Sequence, residues 1–258
     1  MKRTTAILSV VCSLVIVTLF ASSTQKSDAF FEEVIELKKE LAAWEESNAA
    51  ADFEDLLAQL DDMTGSLFWD VDESDWFNAY VSSLADWEIV SGYKDATGRN
   101  TGQFKPGNPV SIAEILKMAL KAADIDETSC YNVPAHPEAA NHWAKYYVAC
   151  AEQMGIRMFG SSPVSLNASA QRGQVLAIVH DAFREKVLPL YSNFQDTANH
   201  RYETDIAHAA FNGIVSGDTD ANGNPTGSFR PDDSINRAEV SKVIYEQLKL
   251  QTVREGVL

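Results

Sequence analysis

The chain repeats itself, and that constrains its fold more than any composition figure does. Setting residue n over residue n+125 places Ile89-Val90-Ser91-Gly92 on Ile214-Val215-Ser216-Gly217. The register then holds without a gap through Asp95 and Asp220, Gly98 and Gly223, Phe104 and Phe229, Pro106 and Pro231, Ala113-Glu114 and Ala238-Glu239, and Lys117 and Lys242. A chain built this way folds as an array of like units. A weaker copy lies between the two: His142-Trp143-Ala144 starts a helical stretch, Gly155-Ile156 ends it, and Gln171-Arg172-Gly173-Gln174 stands where Asn236-Arg237-Ala238-Glu239 stands in the last copy. The offset to the last copy grows from 58 at Gly155 to 65 at Arg172, so the loop of the middle copy is seven residues shorter.

Each copy reads as helix, loop, helix. In the first, Trp76, Tyr80, Leu84 and Trp87 form one helical stripe, and Ile115, Leu116, Ala119, Leu120 and Ala123 form another. Gly92, Pro106 and Pro109 keep the segment between them out of helix. Trp76, Trp143 and Tyr202 open the first helices and are expected to pack in the core or between copies. A unit of about sixty residues cannot bury such stripes alone, whereas three facing one another can. The expected fold is all-α: three helix-loop-helix repeats over residues 66–128, 129–189 and 190–251 in a pseudo-threefold bundle, preceded by an N-terminal helical segment.

That segment, residues 30–65, is acidic and amphipathic, with Phe30, Val34, Leu37, Leu41 and Trp44 at helical spacing and Phe53, Leu56, Leu57, Leu60 and Met63 after them. Residues 1–29 read as an export signal or an N-terminal membrane anchor: Lys2 and Arg3 precede an uncharged run from Ala6 to Ala21 that is short for a bilayer span. Export would leave Cys130 and Cys150 as a pair in an oxidising compartment, where a disulfide between them is expected, with two buried thiols the alternative. Against 21 Lys plus Arg stand 37 Asp plus Glu, a net charge of -16, which argues against a protein that binds nucleic acid by neutralising phosphates.

The residues carry a family resemblance. Phe68-Trp69-Asp70-Val71, Ile89-Val90-Ser91-Gly92-Tyr93, Phe104-Lys105-Pro106 and Ala113-Glu114 resemble the S-layer homology domain, as do Phe194, Asp196, Gly213-Ile214-Val215, Phe229-Arg230-Pro231 and Asn236-Arg237-Ala238-Glu239. The resemblance implies an exported bacterial protein of the cell wall or surface layer. It further implies noncovalent binding of a wall-linked polysaccharide, often one bearing pyruvate ketals, in grooves between adjacent copies. It points to a Thr-Arg-Ala-Glu-like element opening each second helix. The third copy keeps both charges, as Arg237 and Glu239. The second keeps Arg172 but has Gln174 for the acid. The first keeps Glu114 but has Ile112 for the arginine.

A helix N-terminus with an adjacent guanidinium suits a carboxylate, which supports the same location on physical grounds. Arg172 and Arg237 are therefore read as ligand donors in preference to surface ion pairs. Glu114 and Glu239 also have the spacing of a capping box with Ser111 and Asn236. Gly92, Tyr93 and Gly217, in the loops after the first helices, complete the candidate ligand set, with Tyr93 offering a ring to a sugar face. No cofactor and no metal is expected. Asp218-Thr219-Asp220-Ala221-Asn222-Gly223 copies the first half of a calcium loop, but Phe229 stands where a bidentate Glu is needed, so a plain turn accounts for it better. The five histidines lack metal-ligand spacing, and the repeats leave little chain for a catalytic pocket, so an enzyme is not expected. The alternatives to an anchoring module are a surface-layer structural component or a wall-to-membrane tether, the latter through membrane attachment by an uncleaved signal and self-association through the N-terminal helices. An accessory to a wall-polysaccharide enzyme is the remoter reading.

Overall fold

The computed structural model describes residues 68–130, 133–160 and 164–254. The expected signal and the acidic helical segment lie outside the described residues. Among the described residues six α-helices occur in order: α1 Asn78–Asp86, α2 Ile112–Ala122, α3 Lys145–Met154, α4 Arg172–Ala182, α5 Glu203–Phe211 and α6 Arg237–Arg254. Short 3-10 turns, Glu127–Ser129 and Arg157–Phe159, follow α2 and α3, and no strand forms among the described residues beyond isolated bridges. The helix starts keep the sequence register. Residues 78, 145 and 203 differ by the same offsets of 125 and 58 read from the repeat, and residues 112, 172 and 237 by 125 and 65.

Local chemistry sets these boundaries. Ser111 caps α2 in a full capping box, its side chain accepting from the Glu114 N–H while Glu114 takes the Ser111 N–H at 2.8 Å. Asn236 and Glu239 exchange the same two bonds at the start of α6, at 2.9 and 3.1 Å. Gly155 ends α3 in the left-handed region, at φ 75.

The copies are tied to one another by backbone. The N–H groups of Ile112 and Ala113 in the first copy donate to Ala168 and Leu166 in the second. Those of Arg172 and Gly173 donate to Asp233 and Pro231 in the third, and those of Arg237 and Ala238 to Asn108 and Pro106 back in the first. The bridges Ser111 with Ser169, Gln171 with Ser234 and Asn236 with Pro109 follow the same cycle. These bonds satisfy the free donors that open each second helix, which is why that helix start sits at a seam between copies. First helices pack likewise: α1 against α6, α3 against α2, α5 against α4. One apolar core runs through all three copies, from Leu84 and Phe104 through Val148 and Ile178 to Ile206 and Phe229. Cys130 and Cys150 are joined in a disulfide with Cα atoms 5.1 Å apart, pinning the end of the first copy to α3.

The aromatic residues expected to open the first helices divide. Tyr202 is buried, but Trp76 is 58% exposed and Trp143 55%, contrary to the packing role read for them. The reason is a slip of one position. By the repeat offsets Trp76 and Trp143 correspond to Arg201, whereas Tyr202 corresponds to Phe77 and Ala144. That second set caps the helices and faces the core; the first set lies one residue earlier, on the outer side of the turn. Trp87 likewise falls at the C-cap of α1, 41% exposed, stacked parallel on Tyr245 of α6 at 5.9 Å rather than buried in a stripe.

Candidate functional site

A groove of about 790 Å³ opens where α4 meets the third copy. Its walls include Arg172 from the second copy, Gly217, Asp218, Arg230, Glu239 and Lys242 from the third, and Trp76 from the first. The groove exists because Asp196 accepts the N–H groups of Phe229 and Arg230, at 2.9 and 2.7 Å, turning the Phe229 carbonyl toward α4. Arg172 Nε donates to that carbonyl at 2.8 Å, its guanidinium lies 4.9 Å from the Phe229 ring centre, and its Nη1 pairs with Glu239 at 2.7 Å. Nη2 makes no hydrogen bond among the described residues.

The same construction recurs at the seam between the third and first copies. Asp70 accepts the N–H groups of Phe104 and Lys105, both at 2.7 Å. Arg237 Nε donates to the Phe104 carbonyl at 2.8 Å, Nη2 to the Ser91 carbonyl at 2.9 Å, and Nη1 lies 3.5 Å from Glu114. Burial pulls the Arg237 guanidinium below its usual pKa, against the pull of Tyr93 and Glu114. Tyr93 is half-buried, with Lys105 Nζ 4.6 Å and the Arg237 guanidinium 4.9 Å from its ring centre. Gly92 is tight for another reason: a Cβ there would meet Phe68 at 2.8 Å and the Gln103 carbonyl at 2.9 Å.

The structure thus brings the candidates together in two sets across seams, Arg172 with Glu239 and Gly217, and Arg237 with Glu114, Gly92 and Tyr93. Each arginine reaches the acid of the next copy round, a pairing that no single copy contains. Capping and ion pairing use the two oxygens of the same glutamate. The remaining seam holds the two departures from the pattern: Ile112, 1% exposed in the core, and Gln174, which takes the Gln171 N–H at 2.9 Å. Arginine and acid are therefore missing at one and the same junction.

Sequence reasoning passed over Lys117, Lys242, Arg230 and Trp76. Lys242 enters the groove and forms no ion pair among the described residues. Lys117, its counterpart, donates to Ser91 Oγ at 3.3 Å and is also without an ion pair; burial and the nearby Lys121 and Arg237 lower its pKa. The signal was present, since both lysines sit three residues after the capping glutamate and hold the repeat register. Arg230 binds Asp218 and Asp233, and it holds the Asp218 carboxyl below the usual carboxylate range. Asp220 Oδ1 accepts the N–H groups of Asn222 and Asn224 at 2.8 and 2.9 Å, the hydrogen bonds of a turn. No cluster of three metal-ligating side chains occurs among the described residues.

Two stretches of the chain are similar to a known family. The family model of the S-layer homology domain matches residues 67–115 and 193–241, which carry the Asp70–Phe104–Glu114 and Asp196–Phe229–Glu239 constructions. The middle copy lies between the two matches. The Middle cell wall protein of Brevibacillus brevis is 26% identical over 117 residues, 45% of this chain. The matched region spans 9% of that protein's length.

Proposed function

We propose that residues 68–254 form a non-catalytic anchoring module of the bacterial cell surface, which holds the chain on the cell wall or surface layer by binding a wall-linked acidic polysaccharide. The observation that carries this reading is the groove at Arg172, in which Lys242 forms no ion pair among the described residues, with the same arginine–glutamate construction repeated at the next seam. In a chain of net charge -16, the groove carries Arg172, Arg230 and Lys242 against Asp218 and Glu239, one cation in excess, and the Arg237–Glu114 seam repeats the arginine–glutamate pairing with Lys117 nearby. Such a pocket suits a sugar carboxylate, and a pyruvate ketal is the form we favour. The closed cycle of backbone links supports the pseudo-threefold arrangement that puts each groove between copies. The two family matches and the cell-wall relative support the location. Two grooves rather than three are competent in this reading, because Ile112 and Gln174 supply neither charge.

Co-sedimentation with isolated Gram-positive walls tests it. The chain is expected to pellet with walls bearing pyruvylated polysaccharide, to pellet less after mild acid removes the ketals, and to release no soluble sugar. Loss of binding in Lys242→Ala with an unchanged melting temperature places the ligand in the groove. Equal binding before and after ketal removal would refute the acidic-sugar reading, and sugar release would point to a hydrolase.

A further inference from the structure

A second set of buried polar groups, unused by either groove, lies near the C-terminal end of α4. Arg157 donates to Asp181 and to Asp205, which is 0% exposed and also takes His180 Nδ1 at 3.0 Å. His180 is 1% exposed, and its Nε2 is buried without any hydrogen-bond partner. Its ring meets that of His208, 2% exposed, edge to face at 5.2 Å. His208 Nε2 lies 3.2 Å from Glu185 Oε1, and its Nδ1 accepts the N–H of Leu188 at 3.3 Å. Leu188 belongs to the irregular segment leading from α4 into the third copy.

The bond from Leu188 fixes the tautomer. A backbone N–H can only donate, so Nδ1 holds a lone pair and the single ring proton sits on Nε2, facing Glu185. A second proton has one place to go, Nδ1, where it would point at the Leu188 N–H. We propose that His208 is an acid-sensitive latch on the segment joining the second and third copies, released when a proton on Nδ1 expels Leu188.

The groups facing His208 come from every element around it: His180 from α4, Glu185 from the segment after α4, Arg254 and Gln247 from α6 through their bonds to Glu185, and Asp205 of its own helix through His180. Burial and then His180 lower the His208 pKa, and the Glu185 bond only partly opposes them. Burial alone would raise Asp205, but His180 and Arg157 hold it below the usual range, so it stays ionised in the window where His208 titrates. The sign follows. The unfolded chain takes up its proton near pH 6.5 and the folded chain only below that, so stability is level above about pH 6.5 and falls as the pH drops toward the folded value. In that interval the closed-to-open ratio of the latch changes by about tenfold per pH unit. The latch does not depend on what the grooves bind.

Hydrogen exchange of peptides covering residues 186–193, measured on the full chain from pH 7.5 to 5.0 and corrected for the intrinsic pH dependence of exchange, reads it directly. Protection is expected to fall by about tenfold per unit once the pH is below 6.5. His208→Asn, whose side-chain oxygen can take the Leu188 N–H without titrating, is expected to keep protection at both ends. Loss in the variant with the wild-type midpoint would overturn the proposal. Should His208→Asn fail to fold, nitrogen NMR of the wild-type imidazoles decides: an unprotonated Nδ1 at pH 7.5, titrating together with the Leu188 amide, is required. A protonated Nδ1 at neutral pH, or a Leu188 amide that ignores the titration, would refute the latch.

Discussion

Gly217→Ala separates backbone strain from packing, because the repeat supplies its own control. Gly217 has φ +73, and a Cβ there would press on Phe194 Cε1 and lie 2.9 Å from the Ser228 carbonyl. Phe194 cannot yield cheaply, since its ring is stacked on Phe229 at 5.4 Å and Phe229 is 1% exposed. Gly213, four residues earlier, has φ +76 with nothing within 4 Å of its would-be Cβ. Its counterpart in the first copy is Glu88, which adopts φ 57, so a side chain is already accommodated at that position. Gly213→Ala should therefore cost only the left-handed strain, about 1 kcal/mol. Gly217→Ala adds overpacking of about 1–3 kcal/mol to the same strain. Urea unfolding followed by the far-UV helix signal measures both variants in one series. A difference below about 0.5 kcal/mol, within what independent sites scatter by, would refute the claim that the Phe194 ring makes glycine obligatory there.

Trp143→Ala, at an exposed site, is expected to cost less than about 1 kcal/mol, whereas Phe104→Ala, emptying a 0% exposed site, should cost about 3–5 kcal/mol; thermal melts of the two variants check the order. Arg237→Ala should lower stability by about 3 kcal/mol, because it strands the Phe104 and Ser91 carbonyls and Glu114, while Lys242→Ala leaves the melting temperature unchanged and weakens wall binding. Ile112→Arg alone should destabilise by placing a cation at a 1% exposed site without an acid. Adding Gln174→Glu should recover about 1 kcal/mol or more of that loss in a double-mutant cycle, and strictly additive effects would mean that the two positions do not face each other across the seam.

The sequence by itself determined the all-helical class, the spacing at which helix starts recur and the disulfide pair. These are local or composition-borne properties: the caps Ser111 and Asn236, the breaker Gly155, and a 125-residue register between like segments. It also named the arginines and glutamates that pair across two of the seams. It misplaced Trp76 and Trp143 because periodicity says which face a residue shares once a helix is running, and both residues stand before the first helical turn. Only the tertiary structure decided which arginine meets which glutamate. Arg172 finds Glu239 and Arg237 finds Glu114 because each second helix gives its free N–H groups to the loop of another copy, a bond that no spacing within one copy can encode. For the same reason the surroundings of Lys117 and Lys242, whose repeat register was already legible, were decided only when the seams closed: whether a charge is paired is a property of what surrounds it.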